Sequence, residues 1–210
     1  LKPSEIALKK AVELNPTNPG AWSNLGATLK ALGKFDAALK AVDKSLEIDQ
    51  DFAQALNNKG HVLIELNQFD EAEQCFKRAI ELTSNYADAH INLGLTFQMK
   101  GQTENAIKTL KQGITANPKN ADLHWNLALT LLQSGNYEEG WPEYEWRWKL
   151  PKFSVFERNV DAQRWDGEKL ESRSLFIHAE QGLGDTIQFA RYVPIAAKNA
   201  ESVIFECAPA

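Results

Sequence analysis

The chain has 210 residues, of which 43% are hydrophobic and 24% charged, with a formal net charge of −5. This is the composition of a folded domain, and its acidity argues against nucleic acid as a partner. No apolar run approaches the roughly 20 residues of a membrane span, residues 1–15 are too charged for a signal peptide, and Cys75 and Cys207 match no metal or redox spacing.

The expected setting is cytoplasmic, and the sequence calls for neither cofactor nor metal. The chain opens on Leu1 and its single methionine is Met99, so it reads as a piece of a longer protein. Residues 3–16 have the pattern of one amphipathic helix. From Pro19 a unit of 34 residues recurs, starting again at Ala53, Ala87 and Ala121. Its eighth position is Gly26, Gly60, Gly94 and Ala128. Its eleventh is Leu29, Leu63, Phe97 and Leu131, and its twentieth is Ala38, Ala72, Ala106 and Gly140. Apolar residues at helical spacing give each unit two amphipathic helices. Small residues at positions eight and twenty let the two backbones approach. Gly33, Asn67, Gly101 and Gly135 fall at the turn between them, where a left-handed backbone suits those residue types. One helix pair cannot bury its apolar face by itself, but stacked neighbours can. Position four holds His90 and His124, read as core. Position six is Asn24, Asn58, Asn92 and Asn126, each amide offering both donor and acceptor.

This pattern resembles the tetratricopeptide repeat family over roughly residues 1–150. The resemblance implies a mainly α fold, a right-handed superhelix of antiparallel helix pairs. Its units are 19–52, 53–86, 87–120 and 121–150, after a partial unit at 1–18 in which Leu8, Ala11 and Pro16 take positions 24, 27 and 32. It also implies that the first helix of each unit lines a concave groove, with a protein or an extended peptide as the partner. The asparagine column resembles the ladder of O-linked N-acetylglucosamine transferase and would grip a peptide backbone. The alternative is a tolerated polar residue common across the family. The groove grows more apolar toward its C-terminal end, where Ile91, Leu95, Trp125 and Leu129 suggest a side-chain pocket. There the alternative is an adjoining domain covering that surface.

The fourth unit departs from the pattern. Gly140 and Pro142 require a helix that begins late or kinks, and Arg147 stands where a small residue belongs. In "GWPEYEWRWKL", Trp141, Tyr144, Trp146 and Trp148 are expected to be buried at a junction, with a sugar platform as the alternative. Residues 151–173 read as a polar linker.

Beyond it, 174–179 and 202–207 read as strands flanking a helix that Asp185 caps and Pro194 bends. This reads as a strand–turn–helix–strand unit, the opening of a parallel sheet. The glycine turn between strand and helix lacks the third glycine of a dinucleotide fingerprint and the Gly-Lys-Ser/Thr of a phosphate loop. Residues of about 140–210 resemble the start of a glycosyltransferase-like domain that follows tetratricopeptide repeats in bacterial proteins. That domain is similar to the N-terminal lobe of the heptosyltransferases, which have the GT-B fold. The resemblance implies a truncated Rossmann-like α/β unit over 174–210, with Asp185 as a candidate general base and Glu180, Gln181, Gly182 and Gly184 on the acceptor side. A sugar acceptor and a nucleotide sugar would then be ligands of the full-length parent, with no metal required. Three functions stay open: an interaction module, an active GT-B glycosyltransferase parent, and a degenerate enzyme domain kept for binding. The piece itself is expected to be inactive, because the donor lobe is not in it.

Overall fold

The computed structural model describes residues 2–156, 160–179 and 182–207. The chain divides into two compact units, Leu1–Leu150 and Pro151–Ala210. The first begins with a single helix, α1 (Lys2–Leu14). Four helix pairs follow: α2 (Pro19–Ala31) with α3 (Phe35–Ile48), α4 (Ala53–Glu65) with α5 (Phe69–Leu82), α6 (Ala87–Met99) with α7 (Thr103–Ala116), and α8 (Ala121–Gln133) with α9 (Tyr137–Tyr144). The members of each pair pack on each other, and the pairs stack in chain order.

The turn inside each pair explains two columns of the repeat at once. Gly33, Gly101 and Gly135 have φ of 73°, 72° and 82°, and Asn67 has φ of 59°. Each left-handed residue turns the chain so that the next amide reaches back to the eleventh position. Lys34, Gln68, Gln102 and Asn136 donate to the carbonyls of Leu29, Leu63, Phe97 and Leu131 at 2.8–2.9 Å. This is a Schellman closure, and the apolar side chain at its base is buried in the pair. At Gly60 a Cβ would lie 2.6 Å from the ring of Phe76, so the second helix can sit close only because no Cβ is there.

The core is serial. Val12, Leu25, Leu29, Ala38, Ala41 and Val62 form one cluster, and Leu63, Ala72, Phe76, Leu93, Phe97 and Ala106 the next. Leu110, Leu123, Leu127 and Leu131 form a third. Each cluster draws on more than one unit, as expected when a repeat buries its apolar face only against its neighbours.

The last pair ends early. Pro142 lies inside α9, which gives way after Tyr144 to a 3₁₀ segment, Glu145–Lys149. The preceding second helices run for 14 residues and α9 for 8. The expectation of buried tryptophans here needs correction. Trp141 is 53% exposed, and Trp146 and Trp148 are half-buried. The buried residue is Arg147, at 8% exposure. Its guanidinium carbon lies 4.5 Å from the ring centres of both Tyr144 and Trp148. It also donates to the Tyr144 carbonyl and the Glu145 carboxylate. A planar cation with aromatic faces stands at the repeat position that Ser45, Ala79 and Gly113 hold in the earlier units.

The second unit contains a 3₁₀ segment (Pro151–Phe156), β1 (Ser174–His178), α10 (Leu183–Ala190), α11 (Val193–Ala196) and β2 (Ser202–Glu206). The strands are parallel, with Ser174 opposite Ser202 and Ile177 opposite Phe205. Two expectations are corrected. Helix α10 begins at Leu183 with Gly182 as its N-cap, and the first backbone bond runs from Thr186 to the Gly182 carbonyl at 3.1 Å. Asp185 is therefore the third helical residue and not the cap. The single bent helix is in fact two, with Pro194 in the first turn of α11, where its missing N–H costs nothing.

Candidate interaction surface

The first helices α2, α4, α6 and α8 lie side by side, joined by side-chain hydrogen bonds between consecutive units. The asparagine column sits in this seam, and its four members do different things. Asn24 is exposed and accepts from Gln54 at 3.3 Å. Asn58 donates to the Ser23 hydroxyl of the preceding unit at 2.9 Å. Asn92, only 9% exposed, donates to Asn57 Oδ1 at 2.9 Å and lies 2.9 Å from His61 Nε2. Asn126 turns to its own helix and donates to the Asp122 carbonyl at 2.8 Å.

The residue at position five of the preceding unit decides the partner. Ser23 and Asn57 can accept, so the asparagine of the next unit reaches across. Ile91 cannot, so Asn126 stays local. Sequence reasoning treated position five only as groove lining. The signal was present in the string Ser23, Asn57, Ile91, Trp125, which changes from polar to apolar where the cross-unit bond stops. An amide has two N–H groups and a carbonyl oxygen. Asn126 keeps one N–H and the oxygen, Asn58, whose Nδ2 also reaches the Ser23 carbonyl at 3.4 Å, keeps the oxygen, and Asn92 spends its donors internally.

His61 is an acceptor in this network. Burial pushes its imidazole below the ordinary value of 6.5, with Lys30 adding to the effect and Asp88 and Glu65 opposing it. A neutral ring suits a nitrogen that accepts from Asn92. Its ring also meets Phe76 edge-on, with centroids 5.9 Å apart.

Toward α8 the surface turns apolar. Leu95 is 38% exposed, and Ile91, Trp125 and Leu129 are half-buried. Trp125 continues into a run of rings, 5.0 Å from Tyr144, which is 5.7 Å from Trp141. His90 and His124 are both core. His90 Nε2 bonds to the Ser84 carbonyl at 3.0 Å. His124 bonds to the Pro118 carbonyl and to Glu143, and stacks on Trp146 with centroids 3.7 Å apart.

In the second unit, Gly182, Gly184 and Asp185 are exposed at the start of α10, just beyond β1. Glu180 and Gln181 lie outside the described residues. Among the described residues, no group of three or more His, Cys, Asp or Glu could hold a metal ion, and no helix is long and apolar enough to cross a membrane.

Stacked helix pairs closed by left-handed turns, with small residues at the close approaches, define a helical-repeat scaffold of the protein-interaction class. Residues 7–40 and 41–74 match the family described as Tetratricopeptide repeat, and residues 60–101 and 99–135 match the family described as TPR repeat. The repeats of this chain belong to the tetratricopeptide repeat family. Protein FlbA of Caulobacter vibrioides is 37% identical over 60 residues, which is 29% of this chain. The match spans about a tenth of that relative's length, 10%. Among solved structures, MamA is similar with a TM-score of 0.60 at 23% identity, over 72% of this chain and 88% of that one. A thermophilic TPR protein of Thermus thermophilus gives 0.64 at 19% identity, over 72% and 83%. PilF of Pseudomonas aeruginosa gives 0.61 at 23%, over 67% and 64%. At these identities the likeness is one of fold.

Proposed function

We propose that this protein receives an extended peptide along the first helices of its repeats, in the groove a tetratricopeptide superhelix presents on its concave side. The observation that carries this reading is the gradient along that surface. Asn24 and Asn58 leave amide groups for a peptide backbone, and the apolar end, with Leu95 exposed and Leu129 half-buried, offers seats for side chains. Asn92 contributes order to the surface more than donors. Asn126 supplies the last amide of the file, beside Trp125. The setting is the cytoplasm, where Cys75 and Cys207 remain free thiols. Probing an array of immobilised random peptides with the 210-residue chain tests the reading. The wild type is expected to capture a subset, and the double variant Leu95→Ser/Leu129→Ser to lose that subset. Capture unchanged by those substitutions would overturn it.

A second reading concerns the attached unit, as the opening of a glycosyltransferase-like domain of GT-B type. Parallel β1 and β2 with α10 between them support it, as does Asp185, exposed in the first turn of α10. In the full-length parent, Asp185 would take the proton from an acceptor hydroxyl as that oxygen attacks the anomeric carbon of a nucleotide sugar, the sugar–phosphate bond breaking and the nucleotide leaving with the bonding pair on its phosphate. Gly182 and Gly184, exposed beside it, would line the acceptor side. Transfer of labelled sugar by the full-length parent, lost in Asp185→Asn, is the expected result. Undiminished transfer by that variant would remove Asp185 from the chemistry.

A further inference from the structure

The first helices of the third and fourth repeats carry one string, Ala-Asp-x-His-x-Asn-Leu-x-Leu-Thr, at residues 87–96 and 121–130. Packing accounts for most of it. His90 and His124, Leu93 and Leu127, and Thr96 and Thr130 are all buried. It does not account for the aspartates. Asp88 and Asp122 are exposed and take part in no ion pair among the described residues. Some carboxylates of the array have ammonium partners, as Glu5 has Lys34, Glu73 has Lys100 and Glu139 has Lys111, while Asp36, Glu71 and Glu104 in the first turns of second helices are in no ion pair among the described residues. An acid in the first turn of a helix is favoured by the dipole. Yet the first two repeats have Gly20 and Gln54 at the same position.

Helical spacing aligns positions two, six, nine and thirteen into one stripe per first helix. Over four repeats that stripe contains Glu65, Asp88 and Asp122 and no lysine or arginine. Lys30, one position off the stripe, belongs to the first repeat, at the other end. In the last two repeats the same stripe carries Leu95 and Leu129 below their aspartates. Acid and apolar side chain thus alternate twice on neighbouring helices.

We infer that the C-terminal half of the groove selects peptides that combine apolar side chains with lysine or arginine, seating the former on Leu95 and Leu129 and the latter at Asp88 and Asp122. The inference rests on the groove reading and deepens it. Charge complementarity picks this occupant. An acidic peptide would meet three carboxylates and no cation on the stripe. A purely apolar strand would desolvate two carboxylates without giving them a partner.

The test uses three labelled peptides with the same spaced leucines and with lysine, glutamate or serine between them, titrated against the 210-residue chain by fluorescence anisotropy. The lysine peptide is expected to bind about tenfold tighter than the glutamate peptide, an advantage that shrinks as salt rises. Asp88→Asn/Asp122→Asn should weaken the lysine peptide by about three- to tenfold and leave the serine peptide unchanged. Equal binding of the lysine and glutamate peptides overturns the inference. If that binding still disappears in Leu95→Ser, the groove reading survives it. Binding of all three unaffected by Leu95→Ser, or no binding at all, overturns both. If sedimentation shows a dimer that Leu95→Ser dissociates, the occupant is a second copy and the cationic peptide is excluded. The peptide comparison on the wild type stands even if the aspartate variants lose helix stability.

Discussion

Asn92 donates through Nδ2 to Oδ1 of Asn57, 2.9 Å away on the first helix of the preceding repeat, and both side chains are buried. This pair joins one repeat to the next, so Asn92 has a structural role within the column. Replacing Asn92 by alanine leaves the Asn57 carbonyl oxygen buried without its donor. The expected cost is about 1–2 kcal/mol. Asn126→Ala removes only a bond to its own helix and should cost less. Urea titrations of the two variants, followed by circular dichroism, check the order. Equal midpoints would mean that the cross-repeat bond contributes nothing.

The repeat itself was legible because its chemistry is local. A residue that must be left-handed and a small residue at a close approach each announce themselves one position at a time. The division of labour within the asparagine column was not legible in the column. It depends on what stands at position five one repeat earlier, so a period read down one position misses it. Arg147 shows a different limit. An arginine at a small-residue position looks like a break, and only the stacked faces of Tyr144 and Trp148 show it as a filler. Asp185 resembles a cap by residue type, but Gly182, extended at φ −52° and ψ 164°, starts the helix three residues earlier.

Gly60→Ala places a methyl group 2.6 Å from ring carbons of Phe76. The expected destabilisation is about 1–3 kcal/mol. Part of this cost should be absent in a Phe76→Leu background, because the clash is with that ring. A double-mutant cycle reads the difference. Gly101→Ala is the control. Nothing lies within 4 Å of its Cβ, so its cost, about 1 kcal/mol, comes from φ of +72° and does not depend on Phe76.

Arg147→Lys keeps the charge and loses the plane. With the guanidinium between the rings of Tyr144 and Trp148, the variant should lose about 1–2 kcal/mol and shift the tryptophan emission. If lysine leaves both stability and emission unchanged, the stacking is incidental and only the charge matters.

The half-buried imidazole of His61 gives the fold a pH dependence of defined sign. Its folded value lies below the ordinary 6.5, chiefly through burial and then through Lys30. Between the two values the unfolded chain binds more protons, so stability falls as pH drops through 6.5 toward the folded value. Protonation also removes the acceptor that faces Asn92. Denaturation midpoints at successive pH values between 7.5 and 5 should decline, and His61→Gln should flatten that decline. Glu5 and Glu139 are held below the usual carboxylate range by Lys34 and Lys111, so their loss comes at more acidic pH and does not obscure the histidine. A slope that persists in His61→Gln would assign it to another group.

The second unit exposes much of its apolar surface. Ile187 is 68% exposed and Ile204 59%, and Phe189 and Phe205 are also open to solvent. Among the described residues its sheet has two parallel strands of five residues each, and so small a sheet is marginal by itself. Backbone groups along its outer sides are placed to pair with another strand, and apolar residues beside them make that pairing favourable. The 210-residue chain should therefore associate as its concentration rises, whereas a fragment of residues 1–150 should stay monomeric and more soluble. Light scattering on both decides. Ile204→Lys, a charge set on the exposed face of β2, should reduce the association without moving the melting transition of the repeats. A chain that remains strictly monomeric and melts in one transition would mean that this surface is already covered, and the predicted association would then be wrong.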